Sequence, residues 1–361
     1  MKIIFAGGGT GGHLFTGVAL AEAYLREPMA QKEDLLFVGT ALGLENRLIP
    51  ELGYRLAFIP VKPLKGKSGL DRVRSLLQIP ASFFKARKLL KQEKPKVVIG
   101  IGGYASGPVT LMAHFMRIPT CIVEQNSYPG MTNRILGKWV DRIFIAFENA
   151  RKFFPAAKVV MTGNPVRQSF LSNSASATLP SSEKTFTLLV LGGSQGARSI
   201  NQAMIQAIPR WQEMKGSLKI IHQTGKADFE EVKRAYANSG LDVEVFDFIQ
   251  NVSSYYKIAN LVVSRAGAGT LTELQNLGKA AILIPYPYAA DDHQRVNASE
   301  LADQGAAEMI LNAELNAERL FQAVIHLKEH PELIKNMSEK ALALSKPEAA
   351  QHILKICKDF F

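Results

Sequence analysis

The chain of 361 residues predicts an α/β protein of two Rossmann-like, doubly wound domains facing a cleft. Three observations carry this. The apolar run Ile3-Ile4-Phe5-Ala6 leads directly into Gly7-Gly8-Gly9-Thr10-Gly11-Gly12-His13. The same order recurs half a chain later, with Leu188-Leu189-Val190-Leu191 before Gly192-Gly193-Ser194-Gln195-Gly196-Ala197. Short Val/Ile/Leu-rich runs without strict alternation fill the rest, as buried parallel strands require. Strand, glycine turn and helix together present backbone N–H groups and a helix N-terminus to a phosphate. Two such units suit an enzyme that brings two phosphorylated substrates together.

In order along the chain, the first half carries strand-like runs at 2–6, 35–38, 97–101, 120–123, 142–146 and 158–161. The second carries them at 186–191, 218–222, 243–248, 261–264 and 281–284. Helical stretches between them supply right-handed crossovers. Residues 171–183, rich in Ser, Ala and Thr, read as an interdomain linker. The expected division is 1–165, 166–345 and a C-terminal helix, 346–361, packing back on the first domain. Pro331 and Pro347 sit where helices could start, and Pro80 is expected to break or begin one.

Composition narrows the class. Net charge is +11, yet eleven of the 43 Lys/Arg lie in residues 62–96, offset there only by Asp71 and Glu93. The remainder is nearly neutral, so the body-wide basicity of a nucleic-acid binder is absent. Apolar residues between these charges, Phe83 and Phe84 among them, fit an amphipathic face. No run reaches the roughly 18 apolar residues of a membrane span, and no signal-peptide core is read at the N-terminus. The two cysteines, Cys121 and Cys357, form no CxxC, so neither a disulfide framework nor a zinc site is expected.

The glycine turns hold the candidate chemistry. Gly7-x-Gly9-x-x-Gly12 matches the dinucleotide fingerprint, but the second strand ends in Gly39-Thr40, where a ribose-binding acid would be needed. A bare backbone bowl at a helix start instead favours a diphosphate. His13 adjoins it, as phosphate contact, as base, or as a structural residue. Gly100–Pro108, with Gly103, Tyr104 and Ser106, and Glu124-Gln125-Asn126 both end strands at the same sheet edge. Glycines there suggest close ligand approach. Ser264–Glu273 is another strand-to-helix turn. Glu273 reads either as a ligand contact or as a charge favoured near a helix N-terminus. Asp291-Asp292-His293 lacks a further converging ligand, so no metal or cofactor is expected.

In this order the motifs resemble the MurG family, the peptidoglycan N-acetylglucosaminyltransferases that form lipid II. The matching segments are 8–13, 102–108, 124–126, Gly-Asn-Pro-Val-Arg at 163–167, 192–197, 264–273 and Gln294, over nearly the whole chain. The resemblance implies an inverting transfer of N-acetylglucosamine from UDP-N-acetylglucosamine. The acceptor is the muramyl 4-hydroxyl of an undecaprenyl-diphosphate-linked muramyl pentapeptide, lipid I. By position, donor contacts fall to Thr10, Gly11, Gly12, Asn126, Arg167, Ser194, Ile249, Ala268, Gly269, Thr270, Leu271, Thr272, Glu273 and Gln294. Glu273 would bind the uridine ribose, and Ile249 the uracil through its backbone. Acceptor contacts fall to Gly9, Thr10, Gly11, Gly12, Gly103, Tyr104 and Ser106, and His13 or Glu124 would be the base. The first domain would face acceptor and membrane, and the second would bind the UDP-sugar. The expected place is peripheral, at the cytoplasmic face of the inner membrane, against anionic lipid and without nucleic acid. One departure stands out: Thr16 replaces the family's usual proline. The competing readings are a UDP-N-acetylglucosamine epimerase or hydrolase of the same fold, and a basic membrane-binding module.

Overall fold

The computed structural model describes residues 1–61, 69–171, 185–193 and 195–360, with only the backbone described for 69–79 and Ala290. Contacts divide the chain into two units, Met1–Gln168 with Lys346–Phe361, and Ser169–Ser345. Arg167 therefore belongs to the first unit. The stretch read as a linker lies almost wholly outside the described residues.

The first unit holds a seven-stranded parallel sheet in the order β3-β2-β1-β4-β5-β6-β7. Its strands are β1 (Ile3–Gly7), β2 (Leu35–Gly39), β3 (Arg55–Phe58), β4 (Val97–Gly102), β5 (Thr120–Glu124), β6 (Arg142–Ile145) and β7 (Val159–Met161). Its helices are α1 (Gly11–Tyr24), α2 (Glu45–Glu51), α3 (Gly69–Glu93), α4 (Ser106–Phe115) and α5 (Met131–Leu136). Alternate residues of β1 serve opposite faces. Ile3 and Phe5 join Leu14 and Val18 of α1 in one core. Ile4 and Ala6 meet Ala86 and Leu90 of α3 and Val109 of α4 in another.

The second unit holds β8 (Phe186–Leu191), β9 (Leu218–Gln223), β10 (Asp242–Phe246), β11 (Leu261–Ser264), β12 (Ala281–Leu283) and β13 (Glu308–Met309), ordered β10-β9-β8-β11-β12-β13. Around it lie α6 (Arg198–Gln206), α7 (Ile208–Trp211), α8 (Phe229–Ala237), α9 (Val252–Ile258), α10 (Ala268–Leu277), α11 (His293–Ala302), α12 (Ala317–Glu329) and α13 (Pro331–Ala343). Its core gathers Leu188, Val190, Ile200, Trp211 and Phe321. The last helix, α14 (Ala349–Lys358), packs in the first unit, where Ile353, Leu354 and Cys357 enter the core beside α1.

Both sheets reverse direction beside their first strand, between β1 and β4 and between β8 and β11. In open parallel sheets ligands bind outside the carboxyl ends of the strands at such switch points. The glycine turns follow just these four strands. Three sequence expectations need correction. The strands β3 and β13 were not expected. Pro80 lies inside α3 rather than at an end, exposed, where water can serve the carbonyl that proline leaves without a partner.

Candidate active site

The first glycine turn is built from backbone packing. Gly7, Gly8 and Gly9 have φ of 142°, 145° and 88°, conformations that side chains resist. A Cβ on Gly7 would lie 2.0 Å from Gly102 O, and one on Gly103 would lie 2.3 Å from Gly8 O. Gly8 N also donates to Gly102 O at 3.1 Å. The two turns of the first unit thus interlock: backbone contact leaves no room for a side chain at 7 or 103, and at 102 a Cβ would meet the His13 ring at 2.7 Å. Gly9 and Gly12 differ: a Cβ at either would meet nothing within 4 Å.

Glu45 was missed by the sequence reading. It is 1% exposed and opens α2. Its carboxylate accepts from Gly9 N at 2.8 Å, Thr40 N at 2.8 Å and Thr40 Oγ1 at 3.0 Å. A Cβ on Gly8, Gly39 or Gly43 would lie within 2.6 Å of this side chain. An acidic residue therefore does follow β2, but it braces the glycine turn from beneath. The signal was present as a glutamate between Gly39-Thr40 and a helix. Because the Gly9 amide is taken, an anion here would meet the N–H groups that open α1, at Gly11 and Gly12.

His13 is half-buried, with its ring over Gly102 and its Nδ1 3.1 Å from Thr10 Oγ1. Glu124 contrasts with it. It is 1% exposed, and its oxygens accept from Asn126 N (3.0 Å), Asn126 Nδ2 (3.3 Å), Gly130 N (3.2 Å) and Asn133 Nδ2 (2.9 Å). Burial raises its pKa, and these donors pull the other way. Asn126 is partly exposed beside it, Tyr104 is 44% exposed, and Ser106 is buried with no hydrogen-bond partner for its hydroxyl among the described residues. Thr16, also buried, has its hydroxyl 3.0 Å from both Asn164 Oδ1 and Gly12 O, tying α1 to the 163–167 segment. Arg167 lies over the Phe15 ring at 4.4 Å.

In the second unit the turn after β8 is similarly tight. A Cβ on Gly196 would lie 2.2 Å from Thr224 O, whereas Gly193 has φ 78° and open space. Ser194 lies outside the described residues. After β11, Arg265 donates to Ile284 O, Pro285 O, Asn312 Oδ1 and Ser199 Oγ, all neutral acceptors at 2.8–3.1 Å. Burial pulls its pKa down only to about 10, so it stays protonated at neutral pH. The sheet's switch point thus carries a fixed positive charge.

The 268–273 segment divides by exposure. Leu271 is fully buried, and Thr272 Oγ1 is bonded back to Ala268 O at 2.8 Å. Gly269, Thr270 and Glu273 are partly exposed. Glu273 Oε2 accepts from Tyr256 OH at 3.2 Å. Gln294 Oε1 accepts from Tyr286 N at 3.0 Å, and Ile249 N donates to Gln223 Oε1 at 2.9 Å.

Comparison with known proteins now defines the class. The glycosyltransferase family 28 N-terminal domain matches residues 3–145, and its C-terminal domain matches 187–353. Two Rossmann-like units carrying these domains make the chain a glycosyltransferase of the GT-B fold. A Myxococcus xanthus protein named UDP-N-acetylglucosamine–N-acetylmuramyl-(pentapeptide) pyrophosphoryl-undecaprenol N-acetylglucosamine transferase is 48% identical over 99% of this chain and 93% of its own. A protein of the same name from Syntrophus aciditrophicus is 45% identical over 99% and 98%. The crystal structure of Acinetobacter baumannii MurG superposes with TM-score 0.79 and 31% identity, covering 99% of both chains. The chain belongs to this MurG family of N-acetylglucosaminyltransferases.

Proposed function

We propose that this enzyme moves N-acetylglucosamine from UDP-N-acetylglucosamine to the muramyl 4-hydroxyl of lipid I, giving lipid II with inversion at the anomeric carbon. The observation that carries the reading is the placing of glycine turns at the switch points of both sheets, in a chain of this family. In the second unit, the 192–197 amides and the start of α6 take the donor diphosphate, and Glu273 takes the ribose. As the glycosidic bond breaks, charge grows on the leaving diphosphate, and fixed N–H dipoles with the Arg265 cation stabilise it there. In the first unit, the N–H groups starting α1 take the acceptor diphosphate.

His13 is assigned as the base. It adjoins the acceptor turn and is partly open, whereas all four hydrogen bonds to Glu124 come from its own loop and helix. Glu124 instead shapes the 126–130 turn.

Association with an anionic lipid surface belongs to the same proposal. Lys85, Arg87, Lys88, Lys91, Lys94 and Lys96 are exposed, as is Phe84. Phe115 and Trp139 are 58% and 44% exposed, with ring centroids 5.7 Å apart. No described helix is long and apolar enough to cross a membrane. Of the other basic residues, Lys62, Lys65 and Lys67 lie outside the described residues, as do the side chains of Arg72 and Arg74.

The test is UDP release from UDP-N-acetylglucosamine with and without a soluble lipid I analogue. Acceptor-dependent release with a disaccharide product is expected. Release without acceptor would point to the epimerase or hydrolase reading.

A further inference from the structure

We propose that Asn312 is a positioning residue that holds Arg265 at the start of α6 without neutralising it, so that the cation stays available to the donor diphosphate. Arg265 follows β11, Asn312 follows β13, and Ser199 lies in the first turn of α6. The three side chains form a closed ring. Arg265 Nη1 donates to Asn312 Oδ1 at 2.9 Å, and Arg265 Nη2 donates to Ser199 Oγ at 2.8 Å. Ser199 Oγ donates to Asn312 Oδ1 at 2.7 Å. Arginine can only donate, so the serine hydrogen must point at Asn312. Facing two donors, the Asn312 amide can present only its oxygen. One oxygen thus fixes the guanidinium beside the helix N-terminus that takes the donor diphosphate.

These bonds alone do not explain an amide at 312. Both run to Oδ1, and among the described residues Asn312 Nδ2 makes no hydrogen bond. An aspartate would offer the same oxygen, and its bond to a guanidinium would be the stronger one. It would also neutralise the cation, whose other acceptors, Ile284 O and Pro285 O, are uncharged. No carboxylate among the described residues forms an ion pair with Arg265. A half-buried cation is ordinarily paired. Here neutral oxygens hold it, and its charge adds to the positive end of the α6 dipole. What the amide does that a carboxylate could not is leave that charge standing. This inference rests on the reading that the start of α6 takes the donor diphosphate.

Titration calorimetry of the full chain with UDP and uridine, alongside thermal melting, tests it on the wild type, Asn312→Asp, Asn312→Ala and Arg265→Gln. The wild type should prefer UDP to uridine, and Arg265→Gln should lose part of that preference. Asn312→Asp neutralises Arg265 in place. Its UDP-over-uridine ratio should fall about tenfold while it melts no lower than the wild type. Asn312→Ala removes the oxygen and adds no charge. It should melt lower and lose only about threefold in the ratio, as Arg265 gives up one anchor. Stability and diphosphate binding thus move apart, which a merely structural role would not produce. If Arg265→Gln lowers the ratio and Asn312→Asp does not, the proposal is overturned. Equal losses of ratio in the two Asn312 variants overturn it too, since charge would then play no part. So does an Asn312→Asp protein that melts well below the wild type or does not fold, because a carboxylate must satisfy Arg265 at least as well as an amide. A ratio left unchanged by Arg265→Gln overturns the reading of Arg265 as serving the diphosphate, and this proposal with it.

Discussion

Glu273 is held by the Tyr256 hydroxyl at the solvent-facing side of α10, and this fixes how its loss should look. A carboxylate positioned for a ribose contributes about 1.5–3 kcal/mol through its hydrogen bonds. Glu273→Ala should therefore raise the KM for UDP-N-acetylglucosamine at least tenfold while the acceptor KM stays within about twofold, as steady-state kinetics with each substrate varied will show. The two candidate bases separate by a different signature. His13→Ala should lower kcat far more than either KM and remove the acidic limb of its pH profile. Glu124→Gln should instead lower the melting temperature, because its amide –NH2 would face donors that now point at an oxygen. A Glu124→Gln protein that melts normally but turns over slowly would reverse the assignment. His222 supplies the pH test. It is fully buried, and burial pushes its pKa down from 6.5 to about 3. The unfolded chain takes up a proton below pH 6.5 that the folded state refuses. Stability present above 6.5 is therefore lost as pH falls toward 3, by about 1.4 kcal/mol per unit. Urea unfolding at pH 7 and pH 5 should show this loss in the wild type and a smaller one in His222→Gln.

The glycines of the two first-unit turns look alike in sequence but do different work as parts of their elements. Gly102→Ala would force a Cβ to 2.7 Å from the His13 ring at φ +94° and should destabilise the fold by several kcal/mol. Gly11 sits in the first turn of α1, where a Cβ would meet the Phe15 ring at 3.6 Å and Leu44 Cδ2 at 4.0 Å, both ordinary contacts. Gly11→Val should fold and still bind UDP, yet lose transfer by filling the space before the helix N-terminus. Normal turnover in that variant would remove the anion site from this turn. This difference marks the limit of what the sequence reveals. Buried parallel strands were legible because nearly every residue of β1, β4, β5 and β8 is apolar. The edge strand β3 was not, since Arg55–Phe58 is largely half-exposed and mixed, and β13 is only two residues long. Glycine turns were legible as a class. Which glycines face a neighbouring backbone and which face open space depends on the pairing of β1 with β4, and spacing along the chain carries no record of it. Glu45 and Asn312 escaped for the same reason: each acts across strands on a turn distant in sequence.

At the scale of the whole molecule, charge is the property that is unevenly distributed. With Lys/Arg massed in 62–96, each basic residue near an anionic surface contributes about 1 kcal/mol, within a Debye length of roughly 8 Å at physiological salt. Reversing Lys65, Lys67, Arg72 and Arg74 to Glu should release the protein from anionic liposomes in a flotation assay and slow transfer to membrane-embedded acceptor. Transfer to a soluble short-chain acceptor should be spared. Equal losses on both acceptors would assign these residues to folding or catalysis. The path of the chain bears on how such a molecule comes into being. The second unit is an insertion in the first, whose core is completed only by Ile353, Leu354 and Cys357 near the end of the chain. On a ribosome, the unit begun first is therefore finished last. It waits with one flank uncovered while the inserted unit is synthesised and folds. A premature stop a few codons from the end would cripple the part of the protein made earliest.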